Sequence, residues 1–79
     1  MSERLPSLKA KELVKVLQKD GFLLAHQKGS HATYKHPLTQ KRVTIPIHPG
    51  HDLKRGLVKG ILNDLNLTNE EFIKKLRAS

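Results

Sequence analysis

The chain of 79 residues has no cysteine and no tryptophan, and only three side chains of the Phe, Tyr and Trp class: Phe22, Tyr34 and Phe72. Without cysteine there is no disulfide, no thiolate zinc site and no iron–sulfur cluster, a composition compatible with a reducing compartment. With so few rings, no aromatic platform for stacking a nucleic-acid strand is written in the sequence. Long apolar runs are missing too. The longest, Phe22 to Ala25, is far short of the ~20 residues a membrane-spanning helix needs. Residues 1–20 hold no apolar stretch ahead of a small-residue cleavage site, so no secretory leader is expected and the expected location is cytoplasmic. At this length the chain is expected to form a single domain over residues 1–79, with a shallow surface site rather than a deep cofactor cavity.

Acid is the other scarcity. Lysine and arginine number 15 against 7 aspartates and glutamates, which gives a formal charge of +8. A charge this large on a small surface attracts polyanions and raises their association rate. Nucleic acid or an acidic protein is therefore the expected partner, against the plainer reading that the lysines only keep the domain soluble.

The pattern predicts an α-β-β-β-α unit with a short tail helix. From about Leu8 to Asp20, Leu13, Val14, Val16 and Leu17 form an apolar stripe, with Ser7 as the expected N-cap and Gly21 as the residue past the C-terminus. Three strands are expected at about Phe22–Lys28, His31–His36 and Arg42–His48. Gly29 and Ser30 fit a two-residue type II′ turn joining the first two as a hairpin. In the third, Val43, Ile45 and Ile47 alternate with Arg42, Thr44 and Pro46, and Pro46 lacks an N–H, so the strand is expected at an edge or with a bulge at its end. Asp52 is expected to cap a second helix reaching about Asn66, with Leu53, Leu57, Val58, Ile61, Leu62 and Leu65 inward. Gly56 and Gly60 suggest close packing, or a helix that begins near Gly56. Thr68-Asn69-Glu70-Glu71 reads as a capping box for the tail helix, whose Phe72, Ile73 and Leu76 dock on the body. The fold class is α+β, with helices on one face of a three-stranded antiparallel sheet. Tyr34 beside Ala32 favours their side as the core face, which leaves His31, Thr33 and Lys35 on the open one.

The run Lys28-Gly29-Ser30-His31-Ala32-Thr33-Tyr34-Lys35-His36-Pro37, then Val43-Thr44-Ile45-Pro46-Ile47-His48, then Asp52-Leu53-Lys54-Arg55-Gly56-Leu57, resembles the HicA family, also called YcfA-like, the small toxins of bacterial HicAB toxin–antitoxin modules. The resemblance runs from about Leu8 to Leu67. It implies a fold similar to double-stranded-RNA-binding domains, cleavage of messenger RNA, an essential histidine at His31, and neutralisation by a HicB-like antitoxin that covers the site. The chain departs from the family pattern at Leu57, where many members carry threonine, and at Lys9, where a small polar residue is common.

The residues bear on that chemistry independently. RNA can be cleaved by its own 2′-OH attacking the adjacent phosphate, which needs a base for that proton, an acid for the departing 5′-oxygen and positive charge on the phosphorane. Histidine suits either proton role near neutral pH. No acidic residue lies between Asp20 and Asp52, so the clustered carboxylates of a two-metal nuclease are missing there and a metal-independent route, with no cofactor, is expected.

His31 is the candidate general acid or base. The second proton role is open among His36, a lysine, water and the substrate. Lys28, Lys35 and Arg42 are candidate phosphate donors, Gly29 and Ser30 shape the turn and reach the backbone, and His36 and His48 are further RNA contacts. Lys54 and Arg55, with Lys59, are similar in position to the phosphate contacts that double-stranded-RNA-binding domains make at a helix N-terminus. His48, His51 and Asp52 make a poor metal set, and His26 reads as an ordinary strand residue. A non-catalytic RNA-binding module of the same fold is the alternative, and an adaptor for an acidic protein is the third reading.

Overall fold

The computed structural model describes residues 4–78. The first positions of the 1–20 stretch read for a leader, 1–3, lie outside the described residues, as does Ser79. The element order is α1 (Ala10–Lys19), β1 (Leu23–Lys28), β2 (His31–Lys35), β3 (Arg42–Pro46), α2 (Arg55–Asp64) and α3 (Asn69–Ala78). The strands form one antiparallel sheet in the order β1-β2-β3. The α+β reading holds, with strands and helices trimmed by a few residues at their ends.

The core is built from the apolar side of each element. Leu13, Val16 and Leu17 of α1, Ala32 and Tyr34 of β2, Val43 and Ile45 of β3, and Val58, Ile61 and Leu62 of α2 are all buried, with Phe22 and Phe72 among them. Among the described residues no polar or charged side chain is buried. The expected core face is the observed one, and the side carrying His31 is open. No described helix is long and apolar enough to cross a membrane.

Helix ends follow local chemistry. Gly21 adopts φ +100° beyond α1, while the Phe22 N–H returns to the Leu17 carbonyl at 2.9 Å, a closed C-terminal turn of the kind glycine permits. Thr68 and Glu71 form the expected capping box, with the Thr68 N–H donating to Glu71 Oε1 at 2.9 Å and the Glu71 N–H to Thr68 Oγ1 at 3.1 Å. The α1 start is corrected: the N-cap is Lys9, not Ser7. There the Glu12 carboxylate accepts the Lys9 N–H at 3.0 Å.

Asp52 does not cap α2, whose N-cap is Lys54 and carries no side-chain bond. Instead Lys9 Nζ pairs with Asp52 Oδ1 at 3.0 Å, and the Leu53 N–H bonds the Leu8 carbonyl at 2.6 Å. The loop ahead of α2 is thus tied to the start of α1, which draws Asp52 away from the helix it precedes. Close packing at Gly56 and Gly60 is not found: α2 begins at Arg55, and a Cβ at either glycine would meet nothing within 4 Å.

Two glycines consequently have opposite expectations. A Cβ at Gly21 would lie 2.8 Å from His36 Nε2, in a backbone region L residues rarely adopt, so Gly21→Ala is expected to destabilise by about 2 kcal/mol. Gly60→Ala removes a helix-interior glycine in open space and is expected to stabilise by about 0.5–1 kcal/mol. Chemical denaturation midpoints at constant m-value check both.

The Glu71 carboxyl is held below its ordinary range, first by the Thr68 backbone N–H and then by the Thr68 hydroxyl. A depressed folded-state value contributes stability that is present above the ordinary carboxylate range and is lost as pH falls through the folded value. Glu71→Gln is expected to flatten that acid limb of a Tm-against-pH curve and to leave the slope at neutral pH unchanged.

Candidate functional site

The hairpin turn sets the site. Gly29 has φ +57° while Ser30 keeps a negative φ, the type II′ geometry expected of a Gly-X loop. This turn opposes Lys28 to His31, and the β2–β3 register opposes His31 to Pro46. Directly opposed residues share a face. The open face therefore carries three rows: Lys28, His31 and Pro46; His26, Thr33 and Thr44; and Leu23, Lys35 and Arg42.

None of these side chains is acidic. His31, Lys28 and Arg42 are exposed and Lys35 is half-buried. The Thr33 and Thr44 hydroxyls bond each other at 3.0 Å in the middle row. Lys28 is the cation directly beside His31, one strand away, or about 4.5–5.5 Å between Cβ atoms. Lys35 and Arg42 stand together four residues further along, about 13 Å away at the strand rise. A phosphate at His31 is thus within reach of Lys28, while Lys35 and Arg42 are placed for another phosphate of the same polyanion.

His36 stands apart from this face. Its Nδ1 accepts the Leu38 and Thr39 N–H groups at 3.2 and 3.3 Å, so Nε2 carries the hydrogen and donates to the Asp20 carbonyl at 3.0 Å. Its ring meets Phe22 edge to face with centroids 5.1 Å apart. These contacts lock the β2–β3 loop to the turn after α1 and occupy both ring nitrogens. They give His36 a structural task that the sequence did not reveal, because its partners are backbone groups, one of them distant in the chain.

Beyond Pro46 the chain turns away through His48-Pro49-Gly50-His51. A cleft of about 610 Å³ opens there, lined by Pro46, His48, His51, Asp52, Leu53, Lys54 and Leu57. Lys54 and Arg55 are exposed at the uncapped start of α2. The first-turn N–H groups have no side-chain acceptor from the N-cap there, and this end of a helix favours anions. Lys59 is engaged elsewhere, with its Nζ donating to Asn69 Oδ1 at 2.9 Å. His48 and His51 meet edge to face at 6.5 Å, a pairing that a count of Phe, Tyr and Trp rings alone does not reveal. Among the described residues no three histidine or carboxylate side chains converge as a metal site requires.

The two central histidines separate by what they hold. His36→Ala breaks three hydrogen bonds and the Phe22 contact, and is expected to cost about 1–3 kcal/mol. His31→Ala removes an exposed side chain and is expected to stay within about 0.5 kcal/mol of the parent. Urea unfolding of the two variants side by side measures the difference.

No curated protein sequence matches the chain. The family model described as the HicA toxin of bacterial toxin–antitoxin matches residues 10–67, a span that runs from the first residue of α1 through the hairpin, the edge strand and α2. On that match, joined to the Gly29-Ser30-His31 turn and the sheet it organises, the chain belongs to the HicA toxin family of bacterial toxin–antitoxin systems.

Proposed function

We propose that the chain acts as one domain, a metal-independent endoribonuclease of the cytoplasm that cleaves messenger RNA, with His31 as the proton-transfer group. The observation that carries this reading is the open sheet face itself: an exposed histidine with a lysine directly opposite and no carboxylate in any of the three rows.

In this mechanism a phosphate of the RNA backbone settles between His31 and Lys28. The 2′-OH attacks the adjacent phosphorus, forming the P–O2′ bond as the P–O5′ bond breaks. His31 moves one proton of this exchange, and the Lys28 ammonium stabilises charge on the phosphorane. With His36 committed to the fold, the other proton falls to Lys28 or to water. Lys35 and Arg42 at one end, and Lys54, Arg55 and the first N–H groups of α2 at the other, hold neighbouring phosphates. Ser30 and Gly29 keep the turn low, so that the backbone passes over it.

Neutralisation follows from the same surface. A HicB-like antitoxin that covers His31 would have to present acid to this face, and its association would then be fast at low salt and slower as salt screens it.

The expected result for His31→Ala, incubated with RNA in EDTA, is a loss of about 10²–10⁴-fold in cleavage rate with RNA retention unchanged. Parental cleavage by the folded variant would refute the role. Retention without cleavage by the parent protein would favour the RNA-binding module instead. Lys35→Ala with Arg42→Ala is expected to weaken binding and to reduce the slope of log K against log salt by up to about 1.4, since each released single-strand contact contributes about 0.7.

A further inference from the structure

The cleft at the start of α2 is more than a phosphate site requires. Its 610 Å³ lies within the range of small-ligand pockets, about 300–1,000 Å³, and its lining is mostly apolar, with Pro46, Leu53 and Leu57 alongside the two imidazoles. A site for phosphate alone has no use for that apolar surface.

The rings of His48 and His51 stand nearly perpendicular, at 84°, with centroids 6.5 Å apart. The intervening turn holds them there: Gly50 takes φ +83° and the His51 N–H donates to the His48 carbonyl at 3.1 Å. Two rings at a right angle form a corner. A flat heterocycle can lie on one face while its rim meets the other ring, and unstacked RNA bases do stack on histidine.

Pro46 belongs to both places, since it lines the cleft and is paired with His31 in the sheet. A phosphate held between Lys28 and His31 therefore lies about one to two strand widths, about 5–10 Å, from the Pro46 wall of the cleft, a gap that the sugar and base of the same nucleotide can bridge. Lys54 stands on the wall, ready for the next phosphate. Asp52, the one carboxylate among the lining residues, is paired with Lys9 at 3.0 Å and does not stand as an uncompensated negative charge.

Resting on the reading of the open face as an RNA site, we propose that the His48–His51 cleft receives an unstacked nucleobase beside the phosphate held at His31. It is then the subsite that sets base preference, and the substrate is single-stranded at the cleaved position.

The test follows the imidazole C–H resonances of the parent protein and of His31→Ala during titration with 5′-ribonucleotides and, separately, with ribose 5-phosphate. The nucleotides are expected to shift the His48 and His51 signals in both proteins, with affinities that differ between bases, and ribose 5-phosphate is expected to leave them in place. In parallel, His48→Ala with His51→Ala is expected to raise KM for a short oligoribonucleotide by at least about fivefold, from the lost stacking, and to flatten the preference between bases. Equal shifts with ribose 5-phosphate would overturn the proposal in favour of phosphate binding alone. His31-dependent cleavage with unchanged KM and base preference in the double variant would overturn it while leaving the catalytic reading intact, and would leave the cleft to a protein partner. Ring shifts with nucleotides in a parent that cleaves no RNA would keep the cleft as a base site and remove the nuclease.

Discussion

The two-residue turn at Gly29-Ser30 is the constraint on which the site depends. A side-chain period of two means that a slip of one residue in the β1–β2 register would turn the β1 members of the open face to its other side, and the single shift the ladder makes, between Leu24 and His26, is what keeps Leu23 on the face of His26 and Lys28. Gly29 at φ +57° lets the hairpin close with Lys28 opposite His31. Alternation along β2 then sets His31 on the face opposite the buried Ala32 and Tyr34. The third strand continues the same logic. Pro46, which has no N–H to offer, sits opposite His31 at the edge of the sheet, where no further strand asks for one. The ladder continues one residue beyond, with the Ile47 N–H donating to the Ser30 carbonyl. The turn is thereby held from its far side as well.

Charge is arranged to leave this face cationic. Four carboxylates are engaged away from it, Asp52 on Lys9, Asp20 on Lys75 at 3.0 Å, Glu12 on the Lys9 N–H and Glu71 on Thr68, and Asp64 lies at its β3 margin in a groove shared with Arg42 and Thr44. The two ion pairs are exposed or half-exposed and contribute little to stability, while Glu12 and Glu71 serve as caps at the starts of their helices. Their placement matters more than their energy, because they tie helix ends and loops together away from the three rows of the open face. The histidines divide in the same way. His36 is a pin between loops, with both nitrogens occupied, whereas His31, His48 and His51 are exposed.

Most of the architecture was legible in the sequence because it is local. Period-two alternation in Val43, Ile45 and Ile47, the Gly29-Ser30 turn, Gly21 after α1 and the Thr68–Glu71 box each act within a few residues, and each is found. Errors arose where a distant partner won. Ser7 and Asp52 are good capping residues in isolation, but the helices start two residues later, with Lys9 and Lys54 at the caps, and Asp52 pairs instead with Lys9 across 43 positions. Of the two readings of Gly56 and Gly60, close packing or a helix that begins near Gly56, the second is the one found, with α2 starting at Arg55. Within the site, the exposure of His31 could be anticipated from its strand parity. The distance of Lys35 from it is four residues along the same strand and is readable in the same way, whereas the place of Arg42 beside Lys35 is set by the β2–β3 register. The commitment of His36 and the approach of His48 to His51 depend on folded loops, which leave no periodic trace.

Whether RNA is cut by its own 2′-hydroxyl at His31 is answered directly by the fragment ends. Mass spectrometry of an oligoribonucleotide digested in EDTA should find a 2′,3′-cyclic phosphate on one fragment and a 5′-hydroxyl on the other, with neither product formed by His31→Ala. Fragments ending in 3′-hydroxyl and 5′-phosphate, or the cyclic product at undiminished yield from the folded His31→Ala variant, would contradict it.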